Sequence, residues 1–308
     1  MRMVMMILAG VMMMDVQDVV AEGEGDGEVL YVVEAVTAEG SFNKGIEGPA
    51  VDRAGNIYAV GYGEGATIGK VSSRGDGELF LTMPNGSVGN GIRFDRTGKW
   101  MFVADYKGHN VLKVAVDTQV VEVFAHDERM NQPNDIAITN EGVIFASDPN
   151  WRDGTGQVWR IEKDGKTVLL EKGMGTTNGI EVSPDGKQLY VNESVQRRVW
   201  VYDLNEHGDI SHKRLLIEFP DHGLDGMRCD VDGLLYVTRY GKGTVAVIDE
   251  AGEVVREIEV GGKRVSNVAF GGEDGRTVYV TVVDRGRLEK FRVARPGRSF
   301  EMWDEDAQ

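Results

Sequence analysis

Six polar residues recur along this 308-residue chain at near-constant spacing: Glu47, Asn90, Asn134, Asn178, Asp225 and Asn267. The steps between them are 43, 44, 44, 47 and 42 residues. Each carries a side-chain oxygen, and two are carboxylates. Their neighbours are small or apolar, as in Glu47-Gly-Pro-Ala, Asn178-Gly-Ile and Asp225-Gly-Met. Brought together, the six would make an oxygen-only site for a hard cation. Ca²⁺ suits it first, since Ca²⁺ takes six to eight oxygens from carboxylates, amide carbonyls and water. Mg²⁺ and Mn²⁺ are alternatives, and Zn²⁺ is less favoured without Cys or His in the set. Glu47, Asn134, Asn178 and Asp225 are the stronger ligand candidates. Asn90 and Asn267 suit metal-bound water or substrate equally well. A competing explanation is that Asn and Asp merely cap turns at strand starts. That accounts for one or two positions, but not for all six, nor for a Glu in the first.

The elements around these residues repeat with them. Each copy continues into a strand rich in β-branched and aromatic residues, such as Asn56-Ile-Tyr-Ala-Val, Trp100-Met-Phe-Val-Ala and Leu234-Leu-Tyr-Val-Thr. A third strand follows, such as Val111-Leu-Lys-Val-Ala-Val, and then a fourth, such as Val120-Val-Glu-Val-Phe. Four strands per copy and six copies predict an all-β chain. The expected fold is a six-bladed β-propeller with four antiparallel strands per blade, running from residue 47 to about 303. A β-sandwich would not repeat one phrase six times. In a propeller, equivalent positions ring the central axis, so the six polar residues are expected to face one another. The segment Glu28–Val36 precedes the first copy. It is expected to supply the outer strand of the last blade and so latch the chain ends together.

Composition narrows the function. Net charge is −16, with 34 Lys+Arg against 50 Asp+Glu and no basic run, which argues against a nucleic-acid partner. The single cysteine, Cys229, allows no internal disulfide and is expected to be a small buried hydrophobe. Residues 1–21 hold one basic residue and an apolar run too short to span a bilayer. They read as a signal peptide, predicting a periplasmic or secreted protein, with a cytoplasmic one as the alternative. Residues 22–27 read as a flexible linker and 28–308 as one propeller domain.

With these phrases assembled, the chain resembles the gluconolactonase/SMP-30/regucalcin-like family. It is also similar to calcium phosphotriesterases of the squid diisopropylfluorophosphatase type. The matching phrases are Glu47-Gly-Pro-Ala, Pro133-Asn134-Asp135, Asn178-Gly-Ile with Ser183-Pro-Asp-Gly, and Asp225-Gly-Met with Asp230. The resemblance implies one catalytic divalent metal held by Glu47, Asn134, Asn178 and Asp225, and hydrolysis of a small-molecule lactone. Sugar-lactonase relatives often carry Arg-Phe-Asn where this chain has Gln132-Pro133-Asn134, so Gln132 becomes a substrate-contact candidate. The polar run Ser147–Asp153 reads as an insertion on the pocket rim, with Asp148 and Trp151 facing substrate. His222 lies three residues before Asp225 and reads as a residue of the pocket mouth.

The cation would polarise the lactone carbonyl, and Asp225 would serve as general base or as nucleophile. No Gly-x-Ser-x-Gly elbow occurs. Three other readings stay open: a phosphotriesterase-like activity, a non-catalytic propeller binding a ligand or protein partner around a structural ion, and a strictosidine-synthase-like condensing propeller.

Overall fold

A computed structural model describes residues 28–303; the segments read as signal peptide and linker, 1–27, lie outside the described residues. The described chain forms six four-stranded antiparallel sheets. The first blade comprises Phe42–Val51, Ile57–Tyr62, Thr67–Val71 and Gly77–Thr82. The next four span residues 89–126, 136–174, 177–218 and 223–259. The sixth joins Val265–Gly271, Thr277–Val282 and Arg287–Arg292 to Glu34–Ala35 from the other end of the chain. There Glu34 pairs with Lys290 and Ala35 with Glu289. The Tyr31 and Val36 N–H groups donate to Arg292 and Leu288 across 2.9 Å and extend the join.

Local sequence explains the blade. The first hairpins close through turns led by Asp or Ser: Asp52 Oδ1 accepts the Asn56 N–H at 2.8 Å, and Asp95 Oδ1 accepts that of Trp100 at 3.0 Å. Such side chains mimic a backbone turn. The apolar positions of each strand then face the neighbouring blades, giving six core clusters, one between each adjacent pair. Cys229 belongs to the cluster between the fourth and fifth blades and is buried, as a small hydrophobe should be.

The innermost strands are not regular. Their pairing register shifts between Glu47 and Ala50, Gly89 and Ile92, Thr177 and Ile180, Leu224 and Met227, and Val265 and Val268. A bulge adds a residue and reverses the alternation of faces. Residues three apart can therefore both point into the channel, which a regular strand forbids.

The far mouth of the channel is closed by a short helix, Arg298–Glu301, and the two residues after it. Met302 enters the core between the second and third blades, and Trp303 packs on Phe94 with ring centroids 6.2 Å apart. A void of only about 50 Å³ remains there.

Candidate functional site

Adjacent inner strands approach closely because glycine follows the ring residue. A Cβ on Gly48 would strike the carbonyl oxygen of Asn90, and one on Gly226 would strike the Asn267 side chain. The Glu-Gly and Asp-Gly phrases thus bring the six oxygens into one small circle.

On the open side lies a cavity of about 770 Å³ with Glu47, Asn90, Asn134, Asn178 and Asp225 in its lining. Glu47 and Asp225 are within hydrogen-bonding reach of each other, and the Asn178 amide donates to Asp225. Glu47 Oε2 accepts the Gly48 N–H at 2.6 Å and the Asn267 amide at 3.1 Å. Burial pushes Asp225 well above the ordinary carboxylate range, and the Glu47 charge beside it pushes further. Burial also raises Glu47, against the opposing bond from Gly48, with the Asp135 charge adding to the rise. Two like charges at such a site are tolerated when a cation neutralises them.

The amides tell the same story. Asn90 Oδ1 and Asn178 Oδ1 are buried with no hydrogen-bond partner. Buried oxygens are nearly always satisfied, so two orphans facing one cavity are free to accept from a bound group or to ligate a cation. Among the described residues no three His, Cys, Asp or Glu side chains are grouped to hold a metal. The donors are two carboxylates and neutral amides, a set that fits a hard cation and fits Zn²⁺ poorly.

Beneath this layer the channel is charged and closed. Asp135 bonds Arg228 at 2.8 Å and Arg93 at 3.3 Å. Glu181 lies 3.2 Å from Arg298 and 3.7 Å from Arg93. All five side chains are buried. Burial alone would raise Asp135, yet Arg228 and Arg93 hold its carboxyl below the usual range. Three guanidinium groups thus face two carboxylates, and Glu47 and Asp225 above them tip the channel to a single net negative charge.

Residues 117–284 match the SMP-30/Gluconolactonase/LRE-like region. The chain belongs to this family. A gluconolactonase from Zymomonas mobilis is 30% identical over 230 residues, 66% of this chain and 64% of the relative. The matched region therefore spans just under two thirds of that enzyme. Diisopropyl-fluorophosphatase of Loligo vulgaris is 26% identical over 291 residues, 82% of this chain and 90% of that protein. Among solved structures, a regucalcin from Agrobacterium tumefaciens superposes with a TM-score of 0.74 at 20% identity, covering 85% of this chain and 95% of that one. That likeness speaks for the propeller fold.

Set on this SMP-30/gluconolactonase-like framework, the sequence-based candidates separate. Trp151 and His222 line the cavity with the five ring residues. Asn267 stays in the ring but is buried, and its Oδ1 accepts the Val268 N–H at 2.9 Å. Its amide donates to Glu47, and it is not among the residues that line the cavity. Asp148 must be corrected. The run Ser147–Asn150 is no insertion but the end of the strand Ile144–Asn150. The Asp148 carboxylate is fully buried and accepts bonds from the Asn131 and Gln132 N–H groups, the Gln157 amide and the Trp159 indole. With its lone pairs used in this way it pins the segment before Asn134 and does not meet substrate. Gln132 is also displaced: it lines a neighbouring depression beside His109 and His126, with its side chain bonded to Tyr106 of the cavity wall.

Two features escaped the sequence reading. Asn192 donates its amide to the Asp225 carbonyl at 2.5 Å and fixes the strand that carries that carboxylate. The lower layer of Arg93, Asp135, Glu181 and Arg228 sits one or three residues beyond ring positions, where the bulges bring it inward.

Proposed function

We propose that this protein is a metal-dependent lactone hydrolase whose cation, Ca²⁺ by the chemistry of its donors, is held by Glu47, Asn134, Asn178 and Asp225. The observation that carries this reading is the pair of adjacent buried carboxylates and orphaned amide oxygens on the floor of an open cavity. The lactonase names of relatives such as the Zymomonas mobilis enzyme support the reaction class.

When bound, the ion would act as a Lewis acid toward the lactone carbonyl and the negative charge that develops on its oxygen. The protein's own groups do the rest. Asn267 and the Gly48 N–H hold Glu47 in place. Asn178 and Asn192 hold Asp225 by side chain and backbone. Asp225 is the carboxylate free to take a proton from an attacking water or to attack the carbonyl itself. Asn90, whose Oδ1 is unpartnered, can bind substrate or the water. The sealed lower channel keeps solvent to one side, so substrate enters by the open mouth.

Hydrolysis of a lactone panel with Ca²⁺, Mn²⁺, Zn²⁺ or EDTA, by the wild type and Asp225→Asn, tests this. Loss of hydrolysis on chelation and in the variant is expected. A wild type that opens no lactone with any ion would sink the proposal and leave a binding propeller with a structural ion. Adding a phosphotriester to the panel tests the second reading, which the coverage of the squid enzyme favours. Reading residues 1–21 as an export signal places the enzyme outside the cytoplasm, and fractionation of cells making the full chain checks it.

No helix among the described residues is long and apolar enough to cross a membrane.

A further inference from the structure

The cavity wall is built from one repeated position. The hairpin joining the second and third strands of a blade contributes Tyr106, Trp151, Ser194, Tyr240 and Val283 in turn. The last residue of each of these turns has a positive φ: His109 at 59°, Gly154 at 68°, Arg197 at 61°, Gly243 at 87° and Gly286 at 58°. Glycine takes this conformation without steric penalty, whereas an L side chain does not. Three blades use glycine there. The fourth uses Arg197, and that arginine lines the cavity.

Its side chain is set rather than loose. Nε donates to the Phe219 carbonyl at 3.2 Å, which leaves the terminal nitrogens unclaimed. The neighbouring Arg198 pairs with Glu218 at 2.9 Å, but no carboxylate among the described residues lies in salt-bridge reach of Arg197. His222 lines the same cavity, also with positive φ, 48°. The two segments are joined where the Leu224 N–H donates to the Ser194 carbonyl at 3.3 Å. Asp221 is shared: Arg239 holds one of its oxygens at 2.7 Å, and His222 Nδ1 lies 3.4 Å from the other. Among the described residues lining the cavity, the carboxylates are Glu47 and Asp225 on the floor. In a chain of net charge −16 this wall is a local exception.

We propose that Arg197, with Ser194 and His222, forms a subsite for an anionic substituent, so that the preferred substrate is a lactone bearing a carboxylate, sulfonate or phosphate away from its ring carbonyl. A guanidinium fixed at Nε offers two parallel N–H donors, the geometry that matches such oxyanions. The word lactone rests on the reading in the preceding subsection; the anion subsite stands without it.

The test compares D-glucaro-1,4-lactone, which carries a free carboxylate, with neutral D-galactono-1,4-lactone, using the full chain with Ca²⁺. Sulfonated and phosphorylated lactones form further arms that separate the three anions. Arg197→Gly keeps the turn's backbone preference and removes the charge, while Arg197→Lys restores charge without the fork. The ratio of kcat/KM for anionic over neutral lactone is expected to favour the anion in the wild type. It should fall at least tenfold in Arg197→Gly and recover in part in Arg197→Lys. An unaltered ratio overturns the subsite. Calorimetric binding of 6-phosphogluconate against gluconate gives a reading independent of catalysis. Tighter binding of the phosphorylated acid, lost in Arg197→Gly, supports the subsite even if no lactone is opened; equal binding by both proteins refutes it.

Discussion

Arg228 of the fifth blade reaches across the channel to Asp135 of the third, with Nη1 2.8 Å from Oδ2. These blades are not neighbours, so the bond spans the fourth blade's share of the ring directly beneath the oxygen layer. The same carboxylate holds Arg93 of the second blade. One acid therefore braces three blades.

Asp135→Asn should leave the buried Arg228 without its counter-charge and Arg93 with Glu181 alone. Breaking a buried pair from one side costs about 3–5 kcal/mol. Urea denaturation at saturating Ca²⁺ is the measurement, and a midpoint equal to that of the wild type would show that the brace is not needed.

Removal of the cation should weaken the fold as well as the chemistry. Ca²⁺ at a hundred times its dissociation constant should add about 2.7 kcal/mol of stability by mass action. Melting with Ca²⁺ and with EDTA should differ accordingly in the wild type. The difference should shrink in Glu47→Gln and in Asn178→Ala, which each remove one oxygen donor.

Gly48→Ala should hurt without touching a polar group. The added methyl meets the Asn90 backbone at a residue with φ of 55°, so both sterics and conformation oppose it. A loss of about 1–3 kcal/mol is expected from overpacking and strain together, with weaker Ca²⁺ binding by calorimetry as the ring is pushed open. A variant as stable and as tightly binding as the wild type would contradict the role given to close blade approach.

Asp230 sets a pH dependence of its own. Burial pushes its carboxyl up to about 6, against the backbone bonds it accepts from Leu234 and Asp232. Its folded pKa lies above the unfolded value, so the folded chain holds this proton more tightly. The stability it contributes is present below about pH 4 and is lost as pH rises through about 6. Asp230→Asn removes the titration. Its stability relative to the wild type should therefore improve by about 1–3 kcal/mol between pH 4 and pH 7. A constant difference across that range would show that Asp230 does not titrate there.

The sequence reading reached the oxygen ring because repetition exposes it: six equivalent positions share one chemistry, and the fold superimposes them. It did not reach the layer below, because Arg93, Glu181 and Arg228 follow their ring residues by three places. Strand alternation turns such residues away from the axis, and the bulges that restore them leave no mark in composition. Asp148 failed for a related reason. A run of Ser, Asp, Pro and Asn has the composition of a loop, yet here it is strand, and its one acid is consumed by four internal donors. Arg298 was hidden by distance: its acceptors Glu181 and Ile138 lie more than a hundred residues upstream.

The pairing of Glu34 with Lys290 has a temporal consequence. The ribosome makes one partner near the start of the domain and the other near its end. Five blades can form as they emerge, but the sixth must wait for the final hairpin before the circle shuts. Until then the segment Glu34–Ala35, made first, has no strand beside it, a state prone to wrong partners. The last step of folding is thus a long-range contact, slow by its topology, and crowded expression should expose it as aggregation before any defect shows in the finished ring.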